Sequence, residues 1–334
     1  MDYAARRYAV EPILLPGLAH SLNPVQVLVS LWRLYRLIRQ HRPDVVHTHQ
    51  TTAGFIGRIA ARLAGVPVVL HTMHVHPFHG HYDRLMTLFF IITERIGALF
   101  SDSIITLSEK LRRELAERYH ITARRRMIVL PSGYDLRAFA RSGRQAGHFR
   151  RAWHIPAAAP LVGIVGRLMP VKNHALFLEA ARLVLAQMPQ AHFAIVGDGE
   201  LRAALEAQAA PLGAQVHFTG WQEDTAAIYS DLNVLVISSL NEGAPVPIIE
   251  ALAAGCPVVA TNVGGVVDLL AGVPGEIVPS GDAAALAAAI LRSLTTPYDP
   301  EPARHIMLDR YGIDRLVQDL DSLYRGLMAR KKSR

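Results

Sequence analysis

The sequence predicts an α/β protein with mostly parallel sheets, arranged in two halves. Short apolar runs alternate with longer helical patterns along the whole chain, as in successive βαβ units. The alternation breaks near residues 142–160 and restarts at Leu161-Val162-Gly163-Ile164-Val165. The 334 residues, 51% hydrophobic and 19% charged, supply enough apolar surface for two domain cores.

In the first half, runs at 8–15, 45–48, 68–71, 103–106 and 127–130 read as strands, with helices near 23–41, 52–64, 83–100 and 108–119. The stretch 31–42 sets Arg33, Arg36, Arg39 and Arg42 beside an apolar stripe of Leu31, Leu34, Tyr35 and Ile38. Two readings compete for it: a solvated face on a core-packed helix, or contact with an anionic membrane surface. The net charge of +7 favours anionic partners. Nucleic acid is not expected, because basic repeats and an aromatic-rich sheet are both missing.

The second half repeats strands at 161–165, 192–196, 215–218, 234–237 and 258–260, with helices between them. A terminal helix at 313–329 follows a sheet that already looks complete, so it is expected to pack back across the first domain. The basic tail 330–334 is expected to be disordered. The domains are therefore read as 1–140 and 145–310, with 313–334 as terminal helix and tail.

The single cysteine, Cys256, has no internal disulfide partner and is assigned to packing in a reducing compartment. The longest apolar run, 85–100, is broken by Thr93, Glu94 and Arg95, and no secretory signal is read at the start. The expected location is cytoplasmic, with peripheral contact at the inner face of the cell membrane.

The most informative stretch is Asn241-Glu242-Gly243-Ala244-Pro245-Val246-Pro247-Ile248-Ile249-Glu250. Pro247 suits a first helical turn, and Gly255 with Pro257 ends the helix, so Glu242 precedes the helix and Glu250 lies on it. Eight helical residues rise about 12 Å, beyond the roughly 5–9.5 Å separating carboxylates that act on one glycosidic carbon. The two acids are expected to hold different parts of one long ligand.

Upstream, Gly166-Arg167-Leu168-Met169-Pro170-Val171-Lys172-Asn173 joins a strand to a helix and brings two cations to a helix start, where phosphate binds well. A solvated surface loop is the competing reading. Gly197-Asp198-Gly199-Glu200 is read as a mainly structural turn. Thr219-Gly220-Trp221-Gln222 is read either as a frame for a nucleobase or as a plain strand-end turn, and Gly264-Gly265 as permitting close backbone approach.

These motifs together resemble glycosyltransferase family 4, the retaining class with the GT-B fold of two facing Rossmann-like domains, over nearly the whole chain. The resemblance implies that Glu250 holds the ribose of a UDP- or GDP-linked sugar and that Glu242 holds the sugar. The backbone N–H groups of Ala244 and Val246 would assist Glu242. Arg167 and Lys172 would clamp the diphosphate, with Gly166 and Gly220 lining the donor site. Loss of the diphosphate leaves negative charge that preorganised cations and helix dipoles stabilise, so no metal or other cofactor is expected. Asp319-Leu320-Asp321 is read as a solvated pair on the last helix.

In the first half, Val69-Leu70-His71-Thr72-Met73-His74-Val75-His76 resembles a family subgroup in which the residue matching His74 approaches the donor sugar. Val75 replaces the subgroup's glycine and His81 its tyrosine. His74, His76, His79 and His81, with Asp83 nearby, match no recognised metal spacing. Pro131-Ser132-Gly133-Tyr134-Asp135 resembles the family's turn before the interdomain linker. The family's initial strand, Gly-Gly loop and helix are not matched, so the first domain is expected to be incomplete and the activity of this 334-residue form is in doubt. The expected function is transfer of a sugar to a saccharide or lipid-linked acceptor in envelope or exopolysaccharide assembly. The alternative is a nucleotide-sugar-binding protein or subunit without transfer activity of its own.

Overall fold

The computed structural model describes residues 11–15, 23–74, 83–141 and 147–333. The chain divides into two compact units, 1–132 with 316–334, and 133–315. The break thus falls between Ser132 and Gly133, ahead of the 140–145 boundary read from sequence.

In the first unit, α1 (Pro24–His41) starts where Asn23 accepts the Val25 amide at 3.0 Å. Strands β1 (Val45–His49), β2 (Val68–Met73), β3 (Ser103–Thr106) and β4 (Met127–Val129) form a parallel sheet in chain order. Helices α2 (Thr51–Leu63) and α3 (Arg84–Leu99) make the first two crossovers. Right-handed crossovers in a sheet ordered this way place both on one face. The whole of β2 is buried, the polar His71 and Thr72 included. Two expectations change. Residues 11–15 have no regular structure, while 8–10 lie outside the described residues. The helix expected over 108–119 is α-helical only in α4 (Glu109–Arg113), then widens into a π turn at Glu114–Arg118. There the Tyr119 amide donates to the Glu114 carbonyl at 3.0 Å, and Leu115 and Tyr119 are both buried.

The second unit opens with two short helices, α5 (Arg137–Arg141) and α6 (His148–Ala152). Its strands are β5 (Leu161–Val165), β6 (His192–Val196), β7 (Val216–Gly220), β8 (Val234–Ile237), β9 (Val258–Thr261) and β10 (Glu276–Val278). They are parallel and ordered β10-β9-β8-β5-β6-β7. The helices are α7 (His174–Leu185), α8 (Arg202–Ala209), α9 (Thr225–Asp231), α10 (Val246–Ala254), α11 (Val266–Leu270), α12 (Ala283–Thr295), α13 (Glu301–Tyr311) and α14 (Ile313–Lys332). Separate apolar cores line the two faces of the sheet, with Val162 and Phe193 in one and Leu161 and Leu235 in the other. Cys256 is buried in the second of these. Strand β10 escapes sequence reading because three residues at a sheet edge show no usable period.

From Leu316 onward, α14 belongs to the first unit. Tyr324 Oη lies 2.7 Å from His47 Nδ1, and Lys331 Nζ lies 2.8 Å from Asp102 Oδ1. Asp319 and Asp321 are exposed on this helix.

Candidate functional site

In the second unit the connectivity reverses between β5 and β8, since β6 continues on one side of β5 while β8 lies on the other. A crevice opens beyond the carboxyl ends of strands at such a switch point. The segments leaving these two strands hold the cationic loop and Glu242. After β5, the Gly166 amide donates to the Val196 carbonyl at 2.9 Å and Leu168 to the Asp198 carbonyl at 3.0 Å. Gly197, at φ 135°, is so close that a Cβ would strike the Gly166 carbonyl. The Gly-Asp-Gly-Glu turn therefore supports the loop from behind. Beyond it, Ser238 Oγ donates to the carbonyls of Lys172 and Asn173 at 3.0 and 2.9 Å, and Leu240 to that of Val171 at 2.8 Å. These bonds fix the loop against the end of β8.

Lys172 Nζ lies 2.6 Å from Glu242 Oε1, and Ser239 Oγ donates to the same oxygen at 2.6 Å. The Glu242 side chain is 9% exposed, and its other oxygen has no partner among the described residues. Its backbone is fixed as well, because the Gly265 amide donates to the Glu242 carbonyl at 2.9 Å. A Cβ on Gly264 or Gly265 would strike the carbonyl of Glu242 or Gly243. Thr261 Oγ1, donating to the Ser239 carbonyl at 2.7 Å, braces the residue that braces Glu242. Arg167 is exposed with no side-chain partner among the described residues. Val246 opens α10 after Pro245, and neither its N–H nor that of Ala244 has an acceptor among those residues. Together they offer free donors at a helix start.

Glu250 sits on α10 and accepts a hydrogen bond from Tyr229 Oη at 3.0 Å. Tyr229 is 1% exposed. Burial raises the Glu250 pKa above the usual carboxylate range, and the tyrosine hydroxyl opposes part of that rise. Glu242 and Glu250 are thus supported by different partners. Gly220, at φ 67°, accepts the Gly197 amide at 2.9 Å, and Trp221 is 80% exposed. Sequence reasoning missed Ser239, Thr261 and Tyr229. The two hydroxyls at strand ends were a usable signal for Ser239 and Thr261, whereas Tyr229 reads as ordinary core.

In the first unit, His74 follows β2 with Nε2 3.0 Å from His49 Nδ1. His47 Nε2 lies 2.7 Å from Thr72 Oγ1, and His71 Nδ1 lies 2.9 Å from Thr48 Oγ1. Burial is the main cause of lowered pKa values here: His47 falls to about 4, His71 to about 2, and His49 and His74 shift the same way. All four are neutral near pH 7, so His74 offers a hydrogen-bonding imidazole rather than a cation. Val75, His76, His79 and His81 lie outside the described residues. Among the described residues, no group of three or more His, Cys, Asp or Glu is arranged to hold a metal ion.

Residues 3–138 match the sequence profile of Glycosyltransferase Family 4, and 159–296 that of Glycosyl transferases group 1. The chain is 31% identical over 262 residues to the Escherichia coli UDP-Gal:alpha-D-GlcNAc-diphosphoundecaprenol alpha-1,3-galactosyltransferase, covering 77% of this chain and 67% of that one. It is 32% identical over 323 residues to the Streptomyces fradiae 2-deoxystreptamine N-acetyl-D-glucosaminyltransferase, covering 90% and 75%. A glycosyltransferase structure from Rickettsia africae ESF-5 superposes with a TM-score of 0.80 at 19% identity, covering 98% of this chain and 87% of that one. The fold is GT-B. On two profiles, relatives of this identity and coverage, and the shared fold, the chain belongs to glycosyltransferase family 4 and is a glycosyltransferase.

Proposed function

We propose that this enzyme moves a sugar from a UDP- or GDP-linked donor to a saccharide or lipid-linked acceptor, retaining the anomeric configuration and using no metal ion. The reading is carried by the contact of Lys172 Nζ and Ser239 Oγ with Glu242 Oε1, each at 2.6 Å, at the switch point of the sheet. Glu242, with one oxygen held and the other open, accepts hydrogen bonds from hydroxyls of the donor sugar. Glu250, backed by Tyr229, accepts those of the ribose. Lys172, Arg167 and the N–H groups of Ala244 and Val246 meet the diphosphate, whose charge grows as the anomeric C–O bond breaks. The acceptor oxygen bonds to the anomeric carbon on the face the diphosphate leaves, and its proton passes to a departing phosphate oxygen. His74, neutral near pH 7, hydrogen-bonds the donor sugar.

The name of the E. coli relative supports a UDP-sugar donor and a lipid diphosphate acceptor, and the proposed role is in envelope polysaccharide assembly at the cytoplasmic face of the membrane. No helix among the described residues is long and apolar enough to cross a membrane. Glu242→Gln keeps the shape but weakens the acceptor at the sugar. It is expected to lower transfer by more than about a hundredfold, on the scale of losing one preorganised electrostatic contact, while the circular dichroism spectrum stays unchanged. Wild-type turnover in that variant would refute the assignment. Nucleotide-sugar binding by the wild type without transfer to any saccharide or lipid-linked acceptor would favour a binding role instead. Turnover surviving exhaustive chelation supports the metal-free reading.

A further inference from the structure

Two histidines with no role in the reaction as described share a face of the first sheet with His74. The register of β1 and β2 sets His47 beside Leu70 and His49 beside Thr72, so His47, His49 and Thr72 point to one side and Thr48 and His71 to the other. Contacts on both faces agree: His47 Nε2 lies 2.7 Å from Thr72 Oγ1, and Thr48 Oγ1 lies 2.9 Å from His71 Nδ1. His74, one residue past β2, continues the line of Thr72 and brings its Nε2 to 3.0 Å from His49 Nδ1. Given the donor-sugar contact proposed for His74, on which this step rests, we propose that His49 is a positioning residue: it accepts the Nε2–H of His74, fixes that tautomer and leaves His74 Nδ1 as the acceptor for a hydroxyl of the donor sugar.

His49 is held between two rings. The His47 centroid lies 4.5 Å from its own and the His74 centroid 5.2 Å, the second pair stacked. His47 is itself fixed at both nitrogens, by Thr72 and by Tyr324 Oη of α14, which lies 2.7 Å from His47 Nδ1. An anchored ring thus steadies His49, and His49 steadies the ring assigned to the sugar. His49 and His74 are both exposed, so layering them gains little apolar burial, and a phenyl ring would pack at least as well. What an imidazole adds is a directed hydrogen bond.

The shared contact decides where the protons sit. Burial lowers the pKa of both rings, so near pH 7 each carries a single N–H. One of the two facing nitrogens therefore donates and the other accepts. With His74 as the donor, both rings hold their proton on Nε2, the form a histidine side chain favours in water. The reverse donation would put both protons on Nδ1, the less stable form of each ring. His74 Nδ1 has no partner among the described residues. In this tautomer it is a bare lone pair, able to accept from a hydroxyl and unable to donate to one.

The tautomer is read directly from two-bond proton–nitrogen correlation spectra of the full chain isotope-labelled at histidine, with His74 identified by its loss in His74→Gln. Wild type is expected to show His74 with Nε2 protonated and Nδ1 bare. His49→Phe keeps a ring but removes the acceptor, so the His74 signals should move to an average of both tautomers. The His192 and His217 rings, whose nitrogens also meet at 3.0 Å but in the other unit, should stay unmoved. His49→Asn, whose side-chain oxygen can stand near the place of Nδ1, should restore the wild-type pattern. In transfer assays His49→Phe is expected to lower kcat/KM about five- to tenfold, the scale of one oriented hydrogen bond, and His49→Asn to recover most of that loss. In a His74→Gln background, His49→Phe should cost nothing further. A protonated Nδ1 on wild-type His74, an unchanged His74 spectrum in His49→Phe, or losses from the two substitutions that simply add would overturn the proposal. Wild-type transfer by His74→Gln would instead refute the sugar contact, and with it the bearing of His49 on transfer, whatever the spectra show.

Discussion

Tyr229 is a buried residue that acts on Glu250, the residue we propose holds the donor ribose. Its hydroxyl donates to one oxygen of Glu250 at 3.0 Å, which orients the carboxylate and leaves the other oxygen for the ribose contact we propose. Burial already raises the Glu250 pKa, and the tyrosine hydrogen bond works against that rise. Tyr229→Phe removes the bond without changing the ring. It is expected to weaken donor binding by about 1 kcal/mol, roughly fivefold in KM, with little change in kcat. The proposed ribose contact needs the ionised carboxylate, and a raised pKa means protonation begins at a higher pH than for an ordinary glutamate. Donor affinity should therefore fall on the acid side, and in Tyr229→Phe the inflection should move to still higher pH. An unshifted inflection in isothermal titrations would show that Tyr229 serves packing alone. The sequence made Glu250 conspicuous but not Tyr229, because the two, twenty-one positions apart, are brought together only by the packing of α9 on α10.

The turn before α10 depends on an element distant in sequence. Gly264 and Gly265 press against the carbonyls of Glu242 and Gly243, and Gly265 also donates to Glu242. Gly265→Ala would drive a methyl group into the Gly243 carbonyl, forcing residues 241–244 outward and displacing Glu242 from Lys172. The expected cost is about 1–3 kcal/mol in stability and on the order of tenfold in kcat/KM, from thermal melts and initial rates. A variant with wild-type kinetics would show that the contact is dispensable. The glycine pair was legible in sequence as a close-approach site, but its target was not. Strands were read well where a short apolar run stood between turn residues, as at 234–237, and even where only Ile104 and Ile105 are apolar, as at 103–106. Reading failed at β10, which is too short to show a pattern, and at the π turn after α4, where tertiary burial of Leu115 and Tyr119 overrides helical periodicity.

At the scale of the whole molecule, histidine burial sets the response to acid. His47, His49, His71, His74, His174, His192 and His217 all have pKa values lowered by burial, whereas only Glu94 and Glu250 among the described carboxylates are raised. His174 is the clearest case in the second unit: it is 1% exposed, its ring nitrogens lack partners among the described residues, and its pKa falls to about 4. A histidine that stays neutral in the folded chain but titrates near the ordinary imidazole value of about 6.5 when unfolded gives the unfolded state the extra proton as pH falls. Its stabilising contribution is therefore complete above about pH 6.5 and is lost downward toward the folded-state value, about 4 for His47 and His174 and about 2 for His71. The two raised glutamates act in the opposite sense, but they are outnumbered. Between pH 7 and pH 5, each of His47, His71 and His174 should cost on the order of 1–2 kcal/mol of stability. Urea denaturation at the two pH values should show a clear loss at pH 5, and His174→Leu should reduce that loss by removing an imidazole that the unfolded state can protonate and the folded state cannot. Equal midpoints at pH 7 and pH 5 would mean that these rings bind protons in the folded state, and that their burial is weaker than the packing around them implies.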